Sequence, residues 1–283
     1  MIEFKTLNQT STSEILDCFN LAFSDYLIPM KLTLGQLETK LSTEDINKEI
    51  SVGAFKENKL VGFVLHGDRT SGKFRRAYNG GTGVIPTERG QGLTKKMYGF
   101  IKPILESNAF EEVVLEVISN NAPAIKSYEK IGFQQIRNVT CYKGELLIRN
   151  INEEIEIKQV KNANFDELSL IGEIIPTWQN AKETIINLGT DALYMFAYME
   201  TNLCGYIILN KNNNRILQVA VKNDMRNRHI GSSLLHHIKN SISETVSIIN
   251  VDSNFSSILN FLESNNLRKT ITQEEMKLKI AGK

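Results

Sequence analysis

Two glycines separated by one residue stand between an apolar strand end and an amphipathic helix, in Val84-Ile85-Pro86-Thr87-Glu88-Arg89-Gly90-Gln91-Gly92-Leu93-Thr94. The chain must turn here from strand to helix, and glycine permits backbone angles and close approaches that a Cβ blocks. The first turn of a helix carries unpaired N–H groups and the positive end of the helix dipole. The sequence therefore predicts a binding site for an anion such as a diphosphate.

Other interpretations of the glycines compete with this one. Gly67-Asp68-Arg69-Thr70-Ser71-Gly72-Lys73-Phe74 has the glycine and lysine spacing of a nucleotide-binding P-loop, but Phe74 replaces the Ser or Thr that would bind Mg²⁺. No helical pattern follows it, so we expect a hairpin turn there. The glycines near residue 90 also fit a plain connector between strand and helix.

Length and composition limit the class of protein. A chain of 283 residues with 41% hydrophobic and 23% charged residues is typical of a globular protein with two domains. A net charge of +1 argues against a nucleic-acid partner. The sequence has no apolar run long enough to span a membrane and no signal-peptide pattern at its start, so we expect a cytoplasmic protein without a membrane partner.

We expect no metal site. The three cysteines are too few and too scattered for a disulfide framework or a zinc site. His229, His236 and His237 have no acidic partner at ligand spacing, and adjacent histidines point to different sides of a helix.

An internal repeat predicts the domain organisation. Four strings recur in the same order in the two halves: Ile2-Glu3-Phe4-Lys5 with Ile155-Glu156-Ile157-Lys158, 57–63 with 200–206, 84–94 with 221–231, and Ser119-Asn120 with Ser253-Asn254. Two copies of one fold explain this order better than chance. We expect domains over residues 1–150 and 151–283.

Each copy has an α/β pattern. In the first copy β-branched and aromatic residues predict strands at 2–7, 51–56, 60–66, 74–85, 112–118 and 133–143. Asn120 or Asn121 can cap a last helix, Pro123 suits its first turn, and Gly132 can end it.

The turn and this last helix together resemble the GNAT acetyltransferase superfamily. Arg89-Gly90-Gln91-Gly92-Leu93-Thr94 is similar to that family's phosphate-binding motif, with Thr94 where a smaller residue is usual, and Asn121 through Phe133 is similar to its asparagine-to-tyrosine helix. The resemblance implies two tandem domains, each a mostly antiparallel mixed sheet flanked by helices, whose splayed central strands admit acetyl-CoA. The implied coenzyme contacts are Val84, Ile85, Pro86, Arg89, Gly90, Gln91, Gly92, Leu93, Thr94, Lys95 and Asn121. Lys95 fits a contact with the 3′-phosphate and equally a solvated helix face.

The resemblance also implies transfer of an acetyl group to an amine. An amine with a pKa near 10.4 costs roughly 5 kcal/mol to deprotonate at pH 7, so a base is needed. Glu116 is the candidate base, although its alternation with Val114 and Ile118 also fits a solvent-facing strand residue, and Asp25 stays open as another carboxylate. Tyr128 is the implied acid, and its spacing from Ile125 and Ile131 also fits a core residue.

The second copy departs from the motif. His229 stands in the position of Gly92, and Phe261 or Leu262 stands in the position of Tyr128. We expect this copy to be catalytically silent.

Three hypotheses remain from the sequence: an enzyme that acetylates an amine at the N-terminal site, an inactive acyl-CoA-binding regulatory or scaffolding protein, and a P-loop nucleotide binder. The acceptor can be a small amine or a peptide or protein amine, because acceptor contacts come from segments such as 23–26 that carry no readable signature. The chain is expected to be a monomer or a homodimer.

Overall fold

A computed structural model of the protein describes residues 1–26, 30–172 and 174–280. The chain forms two compact units, one of Met1–Ile136 with Glu274–Lys283 and the other of Arg137–Gln273. Mixed sheets with helices make up both units, so the predicted α/β class in two tandem copies is confirmed.

The first unit follows the predicted order of elements closely. Its elements are β1 (Ile2–Thr6), α1 (Thr12–Ala22), α2 (Leu34–Thr43), β2 (Val52–Lys56), β3 (Lys59–Ser71), β4 (Phe74–Val84), α3 (Leu93–Ser107), β5 (Glu112–Ile118) and α4 (Ala122–Glu129). Capping boxes at Ser11 and Thr33 start α1 and α2. Gly72 and Lys73 form the turn between β3 and β4, which pair antiparallel from Gly62 to Ser71. The P-loop-like string therefore lies in a hairpin.

The second unit repeats this order. It begins within β6 (Gln134–Glu145) and continues through β7 (Ile155–Val160), α5 (Phe165–Leu168), α6 (Lys182–Asn187), β8 (Ala192–Met199), β9 (Asn202–Asn210), β10 (Arg215–Val221), α7 (Ile230–Ser241), β11 (Thr245–Asp252), α8 (Ser256–Ser264) and the first half of β12 (Arg268–Lys279).

The strand that follows the last helix of each copy does not stay with that copy. In the first unit the strand order is β1-β2-β3-β4-β5 and then β12, the last strand of the chain. In the second unit β6 pairs antiparallel with β11, as in Ile248 opposite Tyr142. The two compact units therefore differ from the expected division at residue 150. Most of β6 belongs to the second unit because β6 pairs with β11, and the end of β12 belongs to the first unit because β12 pairs with β5.

The core of the first unit lies on both faces of its sheet. On one face α3 and α4 cover a cluster that includes Met97, Ile101 and Leu115. Met276 and Leu278 of β12 and Ile280, which follows it, also belong to this cluster. On the other face α1 and α2 cover a second cluster around Phe19 and Phe63. No helix in the described ranges is long and apolar enough to cross a membrane.

Candidate active site

The glycine turn after β4 has the conformation that its sequence predicts. Pro86–Glu88 form a short 3-10 turn, Gly90 has φ +77° and Gly92 has φ +68°, and Gly92 caps α3 without a side-chain hydrogen bond. A Cβ built on either glycine would meet no atom of the described residues within 4 Å. The turn is therefore uncovered at both glycines, so an anion can approach the unpaired amides at the start of α3 from there.

The guanidinium of Arg89 braces this turn from behind. It donates to both carboxylate oxygens of Asp25, at 2.7 and 2.8 Å, to the Ala22 carbonyl at 2.7 Å and to the Val84 carbonyl at 3.1 Å. The same pairing lowers the pKa of Asp25 below its usual value through the hydrogen bonds from Arg89. Asp25 is therefore a weak base, and it serves to hold Arg89.

The other residues of this segment that were predicted to contact the coenzyme either pack in or against the core or lie on the turn and the first turn of α3. Leu93 is buried in the core, and Val84 and Ile85 pack against it, so these three can contact a ligand only through a partly covered surface or the backbone. Gln91 donates to Glu88 at 3.1 Å, and Glu88 pairs with Lys56 at 2.7 Å. Pro86 begins the 3-10 turn, and Thr94 is half-buried in the first turn of α3.

A groove beside Gly92 collects positive charge. It is lined by Gly92, Lys95, Pro123, Lys126, Ser127 and Lys130. Lys95 comes from α3, and the other two lysines come from α4 and its C-terminal cap. Sequence reasoning missed Lys126 and Lys130, although their spacing of four residues places them on one face of α4.

Asn121 is the N-cap of α4, as one of the two predicted candidates. Its Oδ1 accepts the Ala124 amide at 3.2 Å, and its Nδ2 donates to the Tyr26 hydroxyl at 3.2 Å. These bonds orient the helix that carries Tyr128.

The two central strands of the first unit pair over a short distance and then diverge. In the described residues β4 pairs with β5 only where Arg76, Ala77 and Tyr78 lie opposite Glu112, Val113 and Val114. β4 nevertheless continues to Val84 and β5 to Ile118. The gap between these strand ends has backbone groups on both sides, which is the kind of opening that can admit a narrow ligand.

Tyr128 lies against the diverging half of β4. Burial raises the pKa of its hydroxyl, and hydrogen bonds from Thr82 and Asn79 oppose that rise. The hydroxyl therefore keeps its proton at neutral pH. Thr82 and Asn79 also bond to each other at 2.8 Å, and neither was identified from the sequence because single polar residues in a strand carry no signature.

A buried polar chain continues behind Tyr128. Asn79 donates to the Tyr98 hydroxyl at 3.0 Å, Tyr98 lies 3.3 Å from Nε2 of His66, and Nδ1 of His66 lies 2.8 Å from the Ile50 carbonyl. Since only Nδ1–H can donate to a carbonyl, Nε2 accepts from Tyr98. Burial lowers the pKa of His66 to about 4, so the ring is neutral near pH 7.

Glu116 on β5 is the carboxylate of this site. Its Oε2 accepts from the Tyr78 hydroxyl at 2.8 Å, and its Oε1 is buried with no hydrogen-bond partner among the described residues. Burial, with the charges of Glu275 and Glu44 as smaller contributions, raises the pKa of Glu116 to about 8. The side chain of Glu116 is partly buried and its Oε1 is covered by the surrounding residues, so this carboxyl does not project freely into solvent.

The side chains of Glu116 and Tyr128 lie on opposite faces of the sheet where β4 and β5 diverge. Tyr128 packs on the cluster that contains Leu115 and Val117, the two neighbours of Glu116 in β5. Because side chains alternate along a strand, Glu116 points to the other face. An acid and a base on the two sides of one opening suit a reaction that needs two proton transfers. The base removes a proton from one reactant, and the acid supplies a proton to the other.

The second unit keeps the backbone of the turn without its glycines. Asn227 has φ +62°, and His229, the N-cap of α7, has φ +58°, close to the values at Gly90 and Gly92. A Cβ built on Gly231 would lie 2.8 Å from the Phe261 ring, so the aromatic side chain covers the start of α7. Leu262 is fully buried. Neither residue supplies a hydroxyl in place of Tyr128.

The family comparisons agree on both halves of the chain. The family model described as "Acetyltransferase (GNAT) family" matches residues 15–133, and the one described as "Acetyltransferase (GNAT) domain" matches residues 166–261. No curated protein matches the sequence.

Solved structures of the same architecture span the whole chain. A tandem GNAT protein from the clavulanic acid biosynthesis pathway is 11% identical, covers 100% of both chains and has a TM-score of 0.73. A GCN5-related N-acetyltransferase from Sphaerobacter thermophilus is 11% identical over 100% of this chain and 97% of its own, with a TM-score of 0.73. A GCN5-related N-acetyltransferase from Anabaena variabilis is 14% identical over 99% and 73%, with a TM-score of 0.62. At these identities the likeness shows the fold.

Proposed function

This chain belongs to the GNAT acetyltransferase family as a tandem protein, and we propose that its first unit transfers an acetyl group from acetyl-CoA to a primary amine. The observation that carries the proposal is the opening between β4 and β5. A glycine turn with open amides lies at one end of it, and Tyr128 and Glu116 face it from opposite sides.

The residues around the turn fit the coenzyme. The amides after Gly92 and the lysines at 95, 126 and 130 suit a diphosphate and a 3′-phosphate, since the groove they line is open. Backbone groups of Val84 and Ile85 suit the amides of the pantetheine arm. Acetyl-CoA supplies an acetyl group that is activated as a thioester.

Glu116 takes the proton from the acceptor amine. A carboxyl with a pKa of about 8 is a stronger base than an ordinary glutamate once it is ionised, and its free Oε1 can accept the proton directly or through water. The nearby charge of Glu275 also favours an acceptor that arrives as a cation, whereas Glu44 is paired with Lys40 at 2.6 Å.

Tyr128 holds the proton needed by the leaving sulfur. Its raised pKa keeps the hydroxyl protonated, and Thr82 and Asn79 fix its position. The second unit lacks this hydroxyl, and we expect it to be silent.

The acceptor is a small-molecule amine or a peptide or protein amine, and its identity needs a screen. Acetyl-CoA and the protein are incubated with polyamines, aminoglycosides, amino acids and peptides, and free thiol is measured. Thiol release that depends on the acceptor supports the proposal. Acetyl-CoA binding without turnover on any acceptor would instead favour an inactive coenzyme-binding protein, and no binding would refute both.

A further inference from the structure

The second unit contains a groove of about 650 Å³. It lies at the position that corresponds to the groove beside Gly92 in the first unit. β10 pairs with β11 in the described residues only where Arg215 and Ile216 lie opposite Ser247 and Ile248, and then the strands diverge. Leu217–Val221 of β10 and Ile248–Asp252 of β11 line the groove, together with α8.

Six residues line the groove beside Gly92 in the first unit. Each of them has a counterpart in the groove of the second unit. Matching the two turns, and matching the N-caps Asn121 and Phe255, gives the pairs Gly92 with His229, Lys95 with Ser232, Pro123 with Ser257, Lys126 with Asn260, Ser127 with Phe261, and Lys130 with Ser264. All six counterparts line the groove of the second unit. The same place in the fold has therefore lost three lysines and gained an aromatic ring.

The loss of charge is not compensated within the groove. Arg226 lies at its exposed rim, and Asp252 pairs with Arg137 at 3.1 Å. Polyphosphate ligands depend on several charge-assisted hydrogen bonds. A groove with neutral side chains in place of the lysines, and with a Cβ on the turn, is poorly matched to coenzyme A.

The wall of the groove is mainly apolar. The apolar residues that contribute to it are Val219, Val221, Ile258, Phe261, Ile174 and Ile175. Concave apolar surfaces with a few polar groups are typical of small-molecule sites.

Asn180, one of the residues that line the groove, carries a buried polar atom that lacks a partner in the part of the chain that the structure describes. Asn180 is 4% exposed, and its Nδ2 donates to the Ile249 carbonyl at 2.8 Å, which fixes the orientation of the amide. Its Oδ1 is buried and has no hydrogen-bond partner within the described residues. A buried acceptor without a donor costs free energy, so a ligand with an N–H or O–H group would be stabilised there.

We infer that the groove of the second unit binds an uncharged, mainly apolar molecule with an amide N–H or hydroxyl donor, and not coenzyme A. The apolar chain lies along Val219 and Ile258, and the donor meets Oδ1 of Asn180. The second copy is then a ligand-binding unit of its own that has changed its ligand class.

Trp178 gives a local readout, because it is the single tryptophan of the chain and lies in the same 3-10 turn as Asn180. Octanamide, N,N-dimethyloctanamide, octanoate and coenzyme A are each titrated against the full chain while Trp178 fluorescence is followed. We expect a saturable change with octanamide and at least about tenfold weaker binding of the dimethyl analogue, which has no N–H donor. Equal affinity of these two amides would overturn the assignment of Asn180.

The remaining probes test charge. Weaker binding of octanoate and no Trp178 response to coenzyme A are expected. Tighter binding of octanoate or of coenzyme A than of octanamide would contradict the proposal, as would no response to octanamide up to its solubility limit.

Two variants place the ligand. Ile258→Arg should weaken octanamide binding at least tenfold, whereas Ser256→Arg on the same helix, outside the groove, should leave it unchanged. Equal effects would refute the location. If Ile258→Arg does not fold, the comparison of the two amides on the unaltered chain decides.

A reversal variant tests the loss of charge. His229→Gly combined with Ser232→Lys, Asn260→Lys and Ser264→Lys should give a Trp178 response to coenzyme A that the unaltered chain lacks. The same response in both proteins, or in neither, would contradict the role assigned to the lysines.

Discussion

The packing and hydrogen bonding of Tyr128 depend on the residues around it, which its sequence motif does not specify. The sequence alone left open whether this tyrosine packs in the core or does chemistry. In the structure its ring packs on the core cluster and contacts Phe133 edge-on, while Thr82 and Asn79 hydrogen-bond to its hydroxyl. Its part in the reaction stays a prediction.

Tyr128→Phe should lower kcat by about 10²-fold or more, because general-acid catalysis contributes on that scale. The Kd for acetyl-CoA, measured by calorimetry, should change less than twofold, since the ring and its packing remain. Tyr142→Phe in the second unit is the control and should leave kcat unchanged. An unaltered kcat in Tyr128→Phe would remove the tyrosine from the reaction.

Glu116 links activity to pH. Because its pKa is raised to about 8 and the ionised form is the base, kcat/KM should rise as the pH increases through 8. Glu116→Gln should lower kcat/KM by about 10²-fold and abolish this rise. A pH profile of Glu116→Gln that keeps the inflection near 8 would assign the base to another group.

The same carboxyl also affects stability. In the folded state Glu116 keeps its proton up to about pH 8, whereas in the unfolded chain it loses it near 4.5. Its contribution to the free energy of unfolding therefore falls between these pH values, by at most about 5 kcal/mol. Urea unfolding of Glu116→Gln should thus show a gain over the unaltered chain at pH 9 that is absent at pH 4. A constant difference would contradict the burial of the carboxyl.

At the scale of elements, the turn before α3 and the turn before α7 share one backbone with different residues. Both have two left-handed residues at the same positions, which are Gly90 and Gly92 in the first and Asn227 and His229 in the second. The side chains decide whether the amides at the helix start stay open.

Gly92→Ala should weaken acetyl-CoA binding at least tenfold, because the added Cβ occupies the open space at the turn through which the proposed diphosphate approaches. It should also cost about 1 kcal/mol of stability, since φ is positive there. His229→Ala, which exchanges one Cβ-bearing residue for another, is the control and should change neither quantity appreciably. Coenzyme affinity of Gly92→Ala equal to that of the unaltered chain would refute the anion site.

At the scale of the whole molecule, the proposed asymmetry of the two copies can be measured with matched arginines. Arg89→Ala should weaken acetyl-CoA binding about tenfold, because the turn loses its brace to Asp25 and Ala22. Arg226→Ala, at the corresponding position of the second unit, should have no such effect. Calorimetry that finds equal losses would sink the asymmetric arrangement.

The division of the chain also has a test. The first unit includes Glu274–Lys283, and its core contains Met276, Leu278 and Ile280. A fragment of residues 1–150 should therefore lack a cooperative unfolding transition, whereas residues 1–136 joined by a flexible linker to 274–283 should regain one and bind acetyl-CoA. A stable, coenzyme-binding 1–150 fragment would support the boundary that the repeat predicts.

The sequence by itself determined the repeat, the strands of the first copy and the glycine turn, because each depends on local backbone preferences and on short-range patterns of apolar residues. It also indicated Tyr128 as a candidate through the family motif, and Glu116 as a carboxylate on the strand before the last helix.

Only the tertiary structure decided the rest. The burial of the Glu116 carboxyl, the bonds of Thr82 and Asn79, the position of Lys126 and Lys130 beside Gly92 and the pairing of β12 with β5 all depend on residues far apart in sequence. Burial and charge are set by what folds beside a residue, and local patterns do not contain that information.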